Sequence, residues 1–303
     1  MPFTLNTSPH RKFRLLISGL SQSGKTTSLP TFIYGPYLYT DLDQQGDAMS
    51  YALEQGKHMV IISCPGETGH RSLLVNTAHV TSYYDESEQG EKESSAGFSA
   101  HIMEEFKQLL ITVVKNKPDI LALDGIPGLW YHWMNDVTNG DYFAGIDLAL
   151  NPDTQRPVQF RSASFHSRTH NVFRDFIDKI YKCSVPLVIC TTREDWEAGT
   201  KEGDGPGRVD AVRYLWPNIP GKMGKEVPGW FDARVSARLE SRCLHSGCPD
   251  SKGAIDHYIW QFCPRGDVQG VGIKGLKVTN DMKRCPYIHQ NGQVLLSFIE
   301  QFS

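Results

Sequence analysis

Four residues near the start of the chain stand at the spacing G-x-x-x-x-G-K-T, inside the stretch GLSQSGKTT at residues 19–27: Gly19, Gly24, Lys25 and Thr26. This combination suits one kind of chemistry, the gripping of a chain of phosphates. Glycines let the backbone curl with its N–H groups turned inward, where side chains would obstruct. The amides of Ser21, Gln22 and Ser23 complete the curl, and the start of the helix expected after it adds a partial positive charge. Lys25 would reach the terminal phosphates as a point charge, Thr26 would place its hydroxyl on Mg²⁺, and Thr27 would lie by the first phosphate. With glycine at roughly 7% of residues, the four fixed positions coincide by chance in about one chain of this length in a hundred. The apolar strand before the motif and the helix-compatible segment after it make chance rarer still.

Such a loop needs an acidic partner across from it, at the end of a buried strand, to hold the water shell of the Mg²⁺. Asp124 in DILALDG fits, with Asp41 in YLYTDLD as a competitor. Hydrolysis further needs a carboxylate to polarise water, for which Asp43 and Glu194 are candidates. No N-K-x-D segment of the guanine-reading kind is present, so the expected ligand is ATP with Mg²⁺.

The elements that must position these residues are legible as short apolar runs. FRLLISG, DILALDG and VPLVICTT read as buried strands, and PYLYTDLD and HMVIISC fall between the first two. Helices are expected at residues 25–32, 46–55, 99–115 and 171–181. Strands alternating with helices predict an α/β fold with a mainly parallel sheet covered on both faces. The C-terminal runs FDARVSARLES, DHYIWQFC and GIKGLKVTN alternate and predict antiparallel strands added to that sheet. One domain over residues 1–303 is expected, interrupted by an acidic loop at 83–97, an aromatic insertion at 130–165 and a glycine-rich mobile loop at 195–229.

Composition narrows the function classes. The 303 residues are 40% hydrophobic, enough to bury a large core, and the formal net charge of -3 gives no global attraction to nucleic acid. No run approaches eighteen apolar residues, so no membrane partner and an intracellular, cytoplasmic location are expected. Seven cysteines, an odd number, argue for reduced thiols. Cys243, Cys248, Cys263 and Cys285, with His245 and His289, have ligand types suited to zinc but an irregular spacing, so the metal reading and plain thiols stay open.

The order of these parts resembles the RecA-like ATPase core, and looks closest to phage-encoded RecA-like ATPases of single-strand annealing and recombination. On that resemblance YTDLDQQGD is similar to the strand whose end carries the catalytic glutamate, and Asp43 matches it with a shorter side chain. CTTRED resembles the strand whose polar end senses the last phosphate, implying Thr192 and Arg193. LWPNIPGKMGKEVPGWFDARV is the most family-like stretch outside the glycine loop. GIKGLKVTNDMKR resembles the region that supplies lysines to a neighbouring subunit's nucleotide, implying Lys274 and Lys277 and a homo-oligomer, ring or filament. The resemblance also implies that the two irregular segments face single-stranded DNA. The first has Trp130, Tyr131, Trp133, Tyr142 and Phe143 with Arg156, Arg161 and Arg168. The second has Lys201, Arg208, Arg213, Lys222 and Lys225. Rings for bases and cations for phosphates suit a single strand, while core packing and a solvated surface remain the plain alternative.

Three functions follow as expectations. The first is an ATPase acting in DNA recombination or single-strand annealing. The second is a motor or packaging ATPase, with Arg234, Arg238 or Arg242 as an arginine finger. The third is a slow nucleotide-dependent structural switch.

Overall fold

The strand that leads into the glycine loop is apolar on both sides. In β1, Phe13–Gly19, every residue after Phe13 is buried. Leu15 and Ile17 face one packing layer and Leu16 the other. Complete burial of such a side chain stabilises the fold by about 1.5–3 kcal/mol, and a strand covered on both faces belongs inside a parallel sheet. The computed structural model describes residues 12–35, 45–65, 77–84, 96–137, 163–202, 209–219, 223–240, 257–262, 271–274 and 287–302.

Nine further strands complete the sheet: β2 Met59–Ser63, β3 Val80–Tyr83, β4 Ile120–Asp124, β5 Leu187–Glu202, β6 Val209–Pro217, β7 Ala233–Glu240, β8 His257–Gln261, β9 Gly272–Ile273 and β10 Tyr287–His289. Their order is β10-β8-β7-β1-β5-β4-β2-β3, with β6 on β5 and β9 on β7. From β7 to β3 every pairing is parallel. β6, β8, β9 and β10 pair antiparallel. The fold is therefore α/β, a mostly parallel central sheet with antiparallel strands added.

Helices α1 Thr31–Tyr34, α2 Gln45–Gln55 and α7 Gly292–Phe302 pack on the face that holds Leu15, Ile61, Ala122 and Ile189. Helices α3 Ala96–Lys115, α4 Ile126–Val137 and α5 Ala163–Lys182 cover the face of Leu16, Val60, Leu121 and Val188. A four-residue helix, α6 Met223–Glu226, runs into a 3₁₀ turn at Val227–Trp230.

Several expectations change. Residues 25–32 do not form one helix: they pass through successive turns, and α1 begins only at Thr31. Pro30 has no N–H to donate, while the hydroxyls of Thr27, Ser28 and Thr31 bond to the carbonyls of Gly24, Lys25 and Ser28. The aromatic insertion at 130–165 begins inside α4, whose Trp130 and Trp133 are core residues. Its apolar stripe outweighs the glycine and proline near its start. The mobile loop at 195–229 is instead largely a hairpin, β5 with β6, followed by α6 and the 3₁₀ turn. Nine residue pairs in antiparallel register satisfy the backbone that its composition would have left free. β7 is antiparallel to β8 and β9 but parallel to β1, so it sits inside the sheet at the join between its parallel and antiparallel parts. The run PYLYTDLD and most of the acidic loop lie outside the described residues.

Candidate functional site

β1 ends at Gly19, beside Ala237 of β7. A Cβ at Gly19 would collide with Ser23 Oγ and with the Ala237 carbonyl, so the loop can leave the strand here only without a side chain. Three residues later the chain bends through positive φ, at Gln22 (61°) and again at Gly24 (81°). For Gly24 that conformation suits a residue without a Cβ. Lys25 folds back over the curl, its Nζ donating to the carbonyls of Gly19 (3.0 Å) and Leu20 (2.7 Å). The side chain of Ser23 is buried with no hydrogen-bond partner for its Oγ.

The opposite wall comes from β4 and β5. Thr26 Oγ1 donates to Asp124 Oδ2 at 2.9 Å, joining the loop to the end of β4 across the intervening β5. Asp124 is 2% exposed. Its other oxygen accepts from Thr191 Oγ1, which in turn accepts from the N–H of Gly125 at 2.8 Å. Thr191 is the residue that sequence reasoning missed, by one position. Thr192 is fully buried, and its hydroxyl donates to the Arg193 carbonyl. Residues 21–27, 191–193, Asp124, Gly125 and Tyr258 together line a cleft of about 370 Å³.

The far face of the sheet holds a second polar cluster. Arg234 of β7 and Glu194 of β5, each 1% exposed at the side chain, form an ion pair at 2.8 Å. Ser18 Oγ donates to Glu194 Oε1 (2.7 Å) and Ser236 Oγ to Oε2 (3.0 Å), while Arg234 Nε donates to Ser18 Oγ. Burial pushes the Arg234 guanidinium below its usual range, and Glu194 opposes that shift. Two readings are thereby corrected. Glu194 does not polarise a water at the cleft, because both its oxygens are taken by this cluster. Arg234 is not an arginine finger, because it is sealed inside the sheet. Arg238 is half-buried and donates to Gln261.

No family model matches this chain, and no curated protein matches it by sequence. Among solved structures it is similar to the flagellar accessory protein FlaH from Methanocaldococcus jannaschii, at 10% identity and a TM-score of 0.35, over 82% of this chain and 76% of that one. A likeness of that size says nothing about chemistry.

The residues present nevertheless fit a magnesium triphosphate. The unpartnered buried hydroxyl of Ser23 and the Lys25 ammonium resting on loop carbonyls offer donors to an anion, and Gly24 keeps the loop close against Tyr258 and Gln290, where a Cβ would collide. Thr26 with Asp124 is a hard oxygen pair suited to Mg²⁺. α1 has four residues and starts beyond the loop, so the expected helix terminus does not supply charge. Among the described residues lining the cleft, Asp124 is the one carboxylate. Asp41 and Asp43 lie outside the described residues, as do Cys243, His245, Cys248, Cys263 and Cys285. Among the described residues no group of three metal-ligating side chains forms, and no helix is long and apolar enough to cross a membrane.

The DNA-facing candidates divide in the same way. Trp130 and Trp133 do not stack on bases, because they pack at 0% and 3% exposure among α3, α4 and α5, where apolar area is removed from water. Tyr131 is half-buried, and burial raises its hydroxyl above its ordinary range with Asp195 adding to the shift. Arg168 is exposed on α5, Lys225 is exposed on α6, and Lys274 is exposed after β9. Tyr142, Phe143, Arg156, Arg161, Arg208, Lys222, Arg242 and Lys277 lie outside the described residues.

Proposed function

We propose that the cleft binds ATP with Mg²⁺ and hydrolyses it, the loop at residues 19–27 holding the phosphates and Thr26 with Asp124 holding the metal. The observation that supports this most directly is the 2.9 Å bond between Thr26 and Asp124, which brings a loop hydroxyl and a strand-end carboxylate 98 positions apart onto one point. Bound Mg²⁺ would neutralise charge on the phosphate oxygens as the terminal bond breaks. The chain's own part is to cradle the phosphates with loop amides, to set the Lys25 ammonium against them, and to anchor Asp124 through Thr191. Asp43 is assigned the water-activating role.

The biological setting we propose is DNA recombination or single-strand annealing by a homo-oligomer. Its support is the β5–β6 hairpin, which continues from cleft residues 191–193 into a segment that includes Lys201 and Arg213. The motor reading loses Arg234, one of its three finger candidates, which is sealed inside the sheet. Binding of a fluorescent ATP analogue with Mg²⁺ tests the core of the proposal. The native chain should bind it, and Lys25→Ala should lose binding at least tenfold while keeping its thermal midpoint. An unchanged affinity in the variant would sink the assignment.

A further inference from the structure

Tyr258 is the aromatic residue among those described around the cleft. The rest of the lining is small hydroxyls, glycine, Gln22, Lys25, Arg193 and Asp124. Its side of β8 lies against the glycine loop: a Cβ placed on Gly24 would come within 2.7 Å of Tyr258 Cδ1. The ring is nonetheless 48% exposed, and Leu239, directly across from it on β7, is 44% exposed. Side chains directly opposed on an antiparallel pair share a face and lie within contact range. A hydrophilic phosphate cleft thus opens onto a ledge where a ring and an aliphatic side chain both face water.

The ledge is held in place. Gln290, just beyond β10, donates its Nε2 to Ser23 O (2.8 Å) and to Ile259 O (3.1 Å), and its backbone N–H to the Tyr258 carbonyl (3.1 Å). One residue therefore ties the loop to the strand segment that presents the ring. A platform tethered to the phosphate loop stays at a fixed reach from whatever the loop holds, and a nucleotide's base lies within the bounded reach that its ribose allows from the phosphates.

We infer that Tyr258 is the stacking platform for the base of the bound nucleotide, a specificity-determining residue that separates nucleoside triphosphates from bare polyphosphate. The inference rests on the phosphate-binding reading of the loop. Such stacking works through the π-face.

Isothermal titration of the native chain, Tyr258→Ala and Tyr258→Phe, each with Mg-ATP and with magnesium tripolyphosphate, separates the possibilities. Tyr258→Ala should bind ATP roughly 5- to 100-fold more weakly, with tripolyphosphate affinity unchanged, and Tyr258→Phe should restore ATP affinity to within about twofold because the ring remains. Equal loss of both ligands in Tyr258→Ala would show a merely structural residue and overturn the inference. Unchanged ATP affinity would overturn it too. A native chain that binds neither ligand would overturn the loop reading itself, and a native chain that binds both equally would overturn the base platform alone.

Discussion

Thr191 and Thr192 are adjacent and chemically identical, yet only the first bonds to Asp124, because successive side chains on β5 point to opposite faces of the sheet. Cys190 shares the second face with Thr192 and packs into the layer of α3, α4 and α5. Burial pushes its thiol from an ordinary 9.0 up to about 12. The folded chain thus holds a proton that the unfolded chain releases above pH 9, so stability falls as pH rises through that window. Relative to Cys190→Ala, the native chain should lose about 2–3 kcal/mol more between pH 8 and pH 11, read from urea unfolding at each pH. Parallel pH profiles for the two proteins would refute this. Gly19, Gly24, Lys25, Thr26 and Asp124 could be picked from sequence because each is fixed by local spacing or by a strand end. Thr191 could not, since choosing it over Thr192 requires knowing which face of β5 meets β4. Tyr258 and Gln290 gave no signal at all, because nothing in the chain's order ties them to a loop more than 230 positions earlier.

Elements that were apolar on both sides were legible as strands, and those stabilised by distant partners were not. The segment after Thr192 has the composition of a loop, but its residues 194–202 pair one for one with 209–217 across β5 and β6. The turn-rich path from Gly24 to Thr31 shows the reverse case, where the helix expected after the glycine loop gave way to Pro30 and three local hydroxyl bonds. β7 and β5 flank β1, and the Arg234–Glu194 pair joins them over the end of that strand. Removing one member strands a buried charge, so Arg234→Met should destabilise the fold by about 3–5 kcal/mol. Replacing both, Arg234→Met with Glu194→Leu, should recover much of that loss, since neither charge is then left unpaired. Urea midpoints of the three proteins decide the matter, and a single variant as stable as the native chain would show that the pair does not bind β5 to β7.

At the scale of the molecule the net charge of -3 gives no overall attraction to nucleic acid, so the proposed DNA contact would have to come from one place rather than from the surface at large. The place proposed for it, the β5–β6 hairpin, is joined to the cleft by β5. From Thr191 to Glu202 the strand advances eleven residues, about 36 Å at the usual rise, and β6 pairs with it from Glu194 to Glu202. A strand whose base lines the cleft and which continues into the hairpin offers a connection between a nucleotide and a partner at the hairpin. If that partner is single-stranded DNA, adding it in low salt should raise the rate of ATP hydrolysis, and the increase should fade steeply toward about 0.2 M salt as counterions compete for the phosphates. Reversing the charge at the hairpin, with Lys201→Glu and Arg213→Glu together, should remove the stimulation and leave the basal rate in place, since the two positions are eight or more residues along the chain from cleft residues 191–193. A rate indifferent to DNA at every salt concentration, measured with Mg²⁺ and saturating ATP, would detach the hairpin from nucleic acid and leave the cleft as a nucleotide site serving another partner.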